Sequence, residues 1–208
     1  MQIIDIANWK RKDHFLFFSQ FEEPFFGVTA NVECSVAYSR NKQRGGSFFL
    51  YYLHCALRAA NAVEAFKYRI RGEQVVRHDR IDASPTIHRP DDTFGFSYMT
   101  YDPDPDIFLE AAQRESDRVQ AGTGLELAEY RDHIIHFSAL PWIHFTSLSH
   151  ARSFAFKDSV PKISFGKIIL DAEGKRWMPV SLHLHHGLAD GIDAGKFFSL
   201  FQDFLNEK

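Results

Sequence analysis

The sequence predicts a single α/β domain that covers residues 1–208. The 208 residues suit one domain with a substantial core, and hydrophobic residues make up 45% of them, which argues against a disordered chain. Along the chain, segments with the two-residue period of strands alternate with segments whose apolar residues recur at helical spacing. This alternation of strands and helices predicts the α/β class.

The charge balance and the lack of targeting patterns argue against a nucleic-acid-binding, membrane-bound or secreted protein. The formal net charge of −3 leaves no electrostatic footprint for nucleic acid or an anionic membrane. No apolar run approaches a membrane span, and the first residues lack a signal-peptide pattern. The two cysteines, Cys34 and Cys55, lie inside apolar patterns and are predicted to be reduced core residues. We therefore expect a cytoplasmic protein that binds neither nucleic acid nor a membrane.

The first part of the chain predicts a short strand, a helix and a long strand. Residues 1–6 have the pattern of a short strand, and Asn8 is the predicted N-cap of the helix that follows. The apolar side of that helix holds Trp9, Phe15 and Phe18, with Phe21 at its end. Residues 25–38 then predict one long strand.

The middle of the chain predicts a helix, a hairpin, a strand and a second helix. Ser47 is the predicted N-cap of a helix whose apolar residues follow at helical spacing, namely Phe49, Leu53, Leu57 and Ala60. Residues 67–76 predict a hairpin that turns at Gly72. The aromatic-rich residues 93–101 predict a strand, and residues 102–106 end it and begin a helix that runs to about residue 120.

The last part of the chain predicts three strands and a helix. Residues 134–140 predict one strand, and residues 161–170 and 177–186 predict a hairpin around residues 171–174. Residues 193–205 predict the final helix, whose buried face holds Phe197, Phe198, Phe201 and Leu205.

The stretch at residues 179–191 carries the clearest sign of chemistry. Apolar residues at positions 180, 182 and 184 alternate with polar residues at 181, 183 and 185, as in a strand with one buried face. His186 falls in phase with the apolar set, just before a glycine. A partly desolvated imidazole there stays neutral near pH 7 and can accept a proton, because burial disfavours the imidazolium. His186 is therefore a candidate general base.

Two other interpretations of the histidines are open. A lone histidine at a strand end is often a hydrogen-bonded polar residue without a chemical role. Alternatively, His183 and His185 share a strand face and Asp190 follows, which could form part of a metal site. A transition metal wants three or four convergent ligands, and no second cluster of Cys or His supports this pair. We therefore expect no metal.

Three segments resemble a known family. Residues 185–191, His-His-Gly-Leu-Ala-Asp-Gly, resemble the His-His-x-x-x-Asp-Gly motif of the chloramphenicol acetyltransferases and of the acyltransferase domains of 2-oxo acid dehydrogenase complexes. Residues 9–15 resemble the Trp-x-Arg-Lys-x-His-Phe opening of the chloramphenicol enzymes, and residues 138–142, Ser-Ala-Leu-Pro-Trp, resemble another of their signatures. The resemblance extends along nearly the whole chain. It implies the family's two-layer α/β fold, in which helices pack on a mixed sheet.

The resemblance also implies a mechanism and a role for four residues. His186 would deprotonate the acceptor hydroxyl as that hydroxyl attacks the thioester of acetyl-CoA, the co-substrate. Ser138 would donate a hydrogen bond to the oxyanion that forms. Arg11 would pair with Asp190 and so support the site, while a backbone carbonyl orients the histidine.

The resemblance places the acceptor pocket as well. Phe17, Phe18 and Phe94 would line it with aromatic surface, and Ser164 lies where the family has a threonine hydroxyl. Phe18 stands where a tyrosine is frequent, and His150 stands where a leucine is expected. These departures affect the acceptor more than the chemistry.

The members of the family are trimers with active sites between subunits, so the resemblance implies a homotrimer. The surplus of 21 phenylalanines agrees with a large subunit interface or an aromatic pocket. The expected activity is O-acetylation of chloramphenicol, an antibiotic-resistance function. Two alternatives are a CoA-dependent acyltransferase with a different hydroxyl or amine acceptor, and a non-catalytic binding protein of the same fold.

Overall fold

Strands and helices alternate along the part of the chain that the computed structural model describes, residues 1–125, 131–152 and 157–207. The strands are β1 (Gln2–Ile3), β2 (Phe25–Glu33), β3 (Tyr68–Arg71), β4 (Gln74–Arg77), β5 (Asp82–His88), β6 (Phe94–Phe96), β7 (Ile134–Leu140), β8 (Lys162–Gly166), β9 (Ile169–Leu170) and β10 (Arg176–His185). The α-helices are α1 (Lys12–Phe18), α2 (Ser35–Arg44), α3 (Phe48–Ala62), α4 (Pro105–Ala121) and α5 (Gly191–Asn206). The predicted α/β class is confirmed.

The main sheet is mixed, as the family resemblance implied. Its strand order is β2-β10-β8-β7-β5-β6, and β9 pairs with the start of β10. Strand β7 runs parallel to both neighbours, β5 and β8, whereas the other pairs are antiparallel. Strand β10 therefore lies between β2 and β8, and it ends where the histidine motif begins.

One face of this sheet carries the main hydrophobic core. Val180, Leu182 and Leu184 of β10 are buried there against residues of the helices, including Leu53 of α3 and Phe197 of α5. The alternation in β10 thus correctly predicted which side chains enter the core. Burial of this apolar surface is the main stabilising contribution, because each fully buried large apolar side chain adds about 1.5 to 3 kcal/mol.

A second, smaller core joins the two segments that build the histidine site. It lies against the three-stranded sheet β1-β4-β3 and buries Phe15 of α1, Tyr68, Val75 and Leu188. Leu188 belongs to the turn that follows β10. This core therefore holds α1 beside that turn, which brings Arg11 close to the histidine motif.

The structure contains a helix and a strand that the sequence did not predict. Residues 35–38, predicted as strand, belong to α2, because the Glu33 carboxylate accepts a hydrogen bond from Ser35 N at 2.7 Å and turns the chain. Most of α2 is polar, so the helical period is weak. Strand β5 is the strand that was not predicted. It contains Pro85, and a proline normally argues against a central strand because it cannot donate a backbone hydrogen bond.

The predicted boundaries near Asn8 and within residues 93–101 were wrong. Asn8 is not the N-cap of α1, which begins at Lys12; its amide instead donates to the Asp5 carboxylate at 2.7 Å within a 3-10 turn. Within residues 93–101, only β6 is a strand, followed by a single bridge between Met99 and Ala83.

Several local predictions are confirmed. Ser47 caps α3 through a hydrogen bond from Leu50 N, and Gly72 turns its hairpin with a φ of 60°. Strand β7 has the predicted bounds. Cys34 and Cys55 are buried free thiols. None of the described helices has the length and apolar character needed to cross a membrane.

Candidate active site

His186 is held in a turn directly after β10. Its backbone N–H donates to Pro24 O at 2.8 Å. Its ring atom Nδ1 lies 3.2 Å from Ala189 O. A carbonyl oxygen can only accept, so Nδ1 carries the proton and Nε2 presents its lone pair. Nε2 has no hydrogen-bond partner among the described residues, and it is therefore available to take a proton from a substrate.

Two aromatic rings fix the plane of the His186 imidazole. The Phe18 ring lies 4.1 Å from it and 8° from parallel, and the Phe26 ring lies 4.7 Å away at 45°. The predicted pocket residue Phe18 thus contacts the candidate base directly. Phe26 was not predicted as a site residue. It lies at the start of β2, and only the pairing of β2 with β10 brings it close to His186.

Arg11 joins both ends of the turn that carries His186. One guanidinium nitrogen donates to the Asp190 carboxylate at 2.7 Å, and another donates to the backbone oxygen of His186 at 3.1 Å. The hydrogen bond from Arg11 holds the pKa of Asp190 below its ordinary value. The predicted Arg11 and Asp190 pair is therefore present, and the contact with the His186 carbonyl adds a clamp that the sequence did not reveal.

Asp190 has a second function as the N-cap of α5. Its side chain accepts from Ile192 N at 3.0 Å, while the Asp193 side chain accepts from Asp190 N at 3.1 Å, which together form a capping box. The helix consequently begins at Gly191, two residues before the predicted start. One carboxylate thus fixes both the helix start and the Arg11 clamp.

The two functions of Asp190 predict a graded loss of stability. Asp190→Asn keeps a capping oxygen but removes the charge opposite Arg11, so we expect a cost of about 1 to 3 kcal/mol in unfolding free energy. This is less than the roughly 3 to 5 kcal/mol of a fully buried pair, because the Asp190 side chain is 32% exposed. Asp190→Ala should cost about 1 kcal/mol more, since the cap is lost as well.

Denaturant unfolding over a pH series would check this prediction. The lowered pKa of Asp190 means that its stabilisation is complete above the ordinary value of 3.8 and is lost as the pH falls through the folded value. The difference between wild type and Asp190→Asn should therefore shrink below about pH 4. If Asp190→Asn kept the wild-type stability at pH 7 while Arg11→Ala was strongly destabilised, the two residues would not be partners.

The other two histidines of the motif strand do not converge on one point. His185 is 5% exposed, its Nδ1 accepts from Gly187 N at 3.1 Å, and burial lowers its pKa to about 4. His183 instead lies against His150, with ring centroids 4.9 Å apart. No group of three or more His, Cys, Asp or Glu side chains that could hold a metal ion occurs in residues 1–125, 131–152 and 157–207.

Ser138 lies in a row of hydroxyl side chains across the sheet. It pairs with Ser164 of β8, which in turn pairs with Ser181 of β10, so all three side chains share the face opposite the main core. This face is also covered, since Ser164 and Ser181 are fully buried. The predicted pocket residue His150 places its Nε2 3.5 Å from Ser164 Oγ.

Within one chain, Ser138 cannot reach a substrate held at His186. Ser138 is two strands away from β10, in the row of Ser181, and His186 follows five residues further along. At about 4.8 Å per strand and 3.3 Å per residue, the two Cα atoms lie roughly 20 Å apart. The His186 ring also contacts Phe26, which pairs with the core-facing Leu184, whereas Ser138 lies on the opposite face of the sheet.

The predicted site residues therefore form two separate groups. The histidine half contains His186, Phe18, Arg11 and Asp190, and Phe17 joins it through its contact with Phe18. The serine half contains Ser138, Ser164, His150 and, on the outer strand β6, Phe94. The side chains of Phe17 and Phe94 are 57% and 45% exposed, which is unusual for phenylalanine and typical of surfaces that contact another molecule.

A cavity of about 770 Å³ lies next to His185 rather than His186. Its wall includes Phe15, Phe25, Arg152 and Asp158, and it contains none of the residues of the serine half. This cavity therefore does not join the histidine half to the serine half.

Comparison with known proteins shows what the whole chain is similar to. A family model described as chloramphenicol acetyltransferase matches residues 1–202. A chloramphenicol acetyltransferase of Proteus mirabilis is 24% identical over 208 residues, and the match covers 99% of this chain and 94% of that protein. A solved structure of a chloramphenicol acetyltransferase has a TM-score of 0.90 at 36% identity, covering 98% of this chain and 99% of that chain.

More distant structures share the fold alone. A probable dihydrolipoamide acetyltransferase from Listeria monocytogenes has a TM-score of 0.67 at 13% identity, covering 93% of this chain and 88% of that chain.

Proposed function

The chain belongs to the chloramphenicol acetyltransferase family, whose members are acyl-CoA-dependent transferases, and we propose that it moves an acetyl group from acetyl-CoA to a hydroxyl group of a small acceptor. The observation that carries this proposal is the geometry of His186. Its Nδ1 is hydrogen-bonded to Ala189 O, its ring is fixed by Phe18 and Phe26, and its Nε2 has no hydrogen-bond partner among the residues that the structure describes. This is what a general base needs.

The proposed reaction is a direct transfer without a covalent enzyme intermediate. Nε2 of His186 takes the proton of the acceptor hydroxyl while the hydroxyl oxygen attacks the thioester carbon. When the tetrahedral intermediate collapses, the carbon–sulfur bond breaks and the CoA sulfur receives that proton. The products are an acetyl ester and free CoA, and His186 returns to its neutral form. Throughout, Ala189 O accepts the hydrogen bond from Nδ1 and stabilises the transient imidazolium.

Ser138 is proposed to stabilise the oxyanion in a site that two copies share. Since Ser138 and His186 of one chain lie roughly 20 Å apart, the histidine half of one copy would face the serine half of the next. Three copies in a closed ring would repeat this contact three times, because a head-to-tail interface with a rotation of one third of a turn generates a three-membered ring. The exposed rings of Phe17 and Phe94 support such an interface.

Chloramphenicol is the acceptor that the family relationship supports first. The rings of Phe17, Phe18 and Phe94 offer aromatic surface for it. Phe18 lacks a phenol hydroxyl, however, and His150 adds a polar ring where an apolar wall is expected. We therefore expect acetylation with a higher KM than that of a relative that has tyrosine and leucine at these places, and a KM about tenfold lower in His150→Leu.

A thiol-release assay tests the proposal. The purified protein is mixed with acetyl-CoA and a panel of alcohols and amines that includes chloramphenicol, and His186→Ala serves as the inactive control. We expect CoA release that depends on the acceptor and on His186. Release that is equal with and without acceptors, or absent with all of them, would contradict acetyl transfer. Turnover of another alcohol without any turnover of chloramphenicol would discard this acceptor only.

A further inference from the structure

Four ionisable side chains form a polar cluster beside Ser138. His136, Lys162 and His183 are aligned across the adjacent strands β7, β8 and β10 and share one face of the sheet. His150 lies over this row, with its ring perpendicular to that of His183 and its Nε2 3.5 Å from Ser164 Oγ. We call these four residues the polar cluster.

The charges in and around the polar cluster are already compensated within the chain. The Lys162 ammonium pairs with the Asp158 carboxylate and donates to Val160 O at 3.1 Å. The nearby Arg152 pairs with Glu23 at 3.1 Å. Burial lowers the pKa of His136 and of His150 to about 4. It also lowers the pKa of His183. At neutral pH the three imidazoles of the cluster are therefore uncharged, and the one charge of the cluster, on Lys162, is compensated by Asp158.

The polar cluster is close enough to Ser138 for one small molecule to contact both. His136 is two residues from Ser138 on the same face of β7, about 7 Å away. Ser164, which His150 contacts, is the neighbour of Ser138 on the next strand at about 5 Å. The His136 ring makes no hydrogen bond to any other described residue and is only partly buried. The acceptor hydroxyl attacks the thioester carbonyl, whose oxygen would lie at Ser138. The rest of the acceptor would consequently contact these imidazoles.

We propose that the preferred acceptor is an uncharged alcohol with several hydroxyl groups, bound through hydrogen bonds to His136 and His150 of the polar cluster. This rests on the proposed function, which places the reacting centre at Ser138. A polyhydroxyl compound loses many hydrogen bonds to water on binding, and neutral imidazoles can replace them as donors and acceptors. The two histidines are thus specificity-determining residues.

The same contacts disfavour the other acceptor classes. An apolar alcohol would cover the imidazoles without pairing them, and unpaired buried polar groups cost specificity. An anionic acceptor would need a free cation, but Lys162 and Arg152 are each paired with a carboxylate. The charge and hydrogen-bond capacity of the cluster together select neutral, hydroxyl-rich molecules.

A matched pair of alcohols tests this inference. Cyclohexanol and myo-inositol have the same six-carbon ring but one hydroxyl and six hydroxyls, respectively, so the ratio of their kcat/KM values reports hydrogen bonding. We expect wild type to favour myo-inositol by at least about tenfold. His150→Leu and His136→Phe should each reduce this ratio by about 10- to 100-fold, mainly through the KM of myo-inositol.

Polar replacements at the same positions are the matched controls. His150→Asn and His136→Gln keep a donor and an acceptor, so the ratio should stay within about threefold of wild type. Calorimetric titration of myo-inositol into the CoA-bound protein gives the same comparison without turnover, and thermal melts check folding. A ratio near or below one in wild type, or equal changes in polar and apolar variants, would overturn the inference.

Chloramphenicol in the same assay separates this inference from the proposed function. Thiol release with chloramphenicol and cyclohexanol, but with no preference for myo-inositol, would leave acetyl transfer standing and reject the polyhydroxyl acceptor. Absence of acceptor-dependent thiol release with all three compounds, together with no calorimetric binding, would reject both.

Discussion

Replacing His186 by alanine is expected to lower kcat for acetyl transfer by about 10²- to 10⁴-fold, the range that a positioned general base contributes. The ring is fixed by Phe18, Phe26 and Ala189 O, so no neighbouring group in the described part of the chain can take its place. The KM for acetyl-CoA should change little, because the lost interaction develops in the transition state. Acceptor-dependent thiol release measured with saturating acetyl-CoA would give both constants.

The neighbouring histidine is the matched control for this prediction. His185 is almost fully buried, and its Nδ1 accepts from Gly187 N, so it supports the turn rather than the reaction. His185→Ala should lower the unfolding temperature yet keep measurable activity, whereas His186→Ala should keep near-native stability because its ring is partly exposed. Equal losses of activity from both, or a metal ion found in proportion to the chain by elemental analysis, would overturn the assignment.

The histidine half could be predicted from the sequence because most of it is local. Residues 185–191 contain the candidate base, the carbonyl that accepts a hydrogen bond from its ring and the carboxylate that binds Arg11. Arg11 is far away in sequence, and only the family resemblance paired it with Asp190. Its second contact, with the carbonyl of His186, depends on how the small core places α1, which no local pattern shows.

The separation of the two halves could not be predicted from local patterns. It follows from the strand order, in which β8 lies between β7 and β10, and from the register that sets Ser138 beside Ser181. Register is set by pairing between strands that are distant in sequence. A one-residue change of register shifts every side chain of a strand and places it on the other face of the sheet. The missed elements have local causes instead: α2 is mostly polar, and β5 contains Pro85.

Replacing Ser138 by alanine should lower kcat by about 10²- to 10³-fold, since one oxyanion donor is lost. The removed hydroxyl makes no hydrogen bond to another described residue, so folding should be preserved. Ser199→Ala, at an exposed position of α5, is a matched control that should leave kcat unchanged. A loss of less than about fivefold would mean that another group stabilises the oxyanion.

The two alanine variants should complement each other if the active site is shared between copies. A mixed ring of His186→Ala and Ser138→Ala chains contains sites in which an intact histidine half faces an intact serine half. With equal amounts and random assembly, about a quarter of all sites are intact, so co-refolding should restore about a quarter of wild-type activity. Each variant refolded alone should remain at its own low rate, and light scattering should give the mass of a trimer.

Mixing wild type with the double variant gives an independent measure of the same geometry. If each site lies within one chain, half of the sites are intact in an equal mixture, because every wild-type chain keeps its own site. If each site needs the histidine half of one copy and the serine half of the next, only about a quarter are intact, since two wild-type chains must be neighbours. A rate near half of wild type here, with no recovery in the first mixture, would place both residues in one chain's site and contradict the roughly 20 Å separation derived from the sheet.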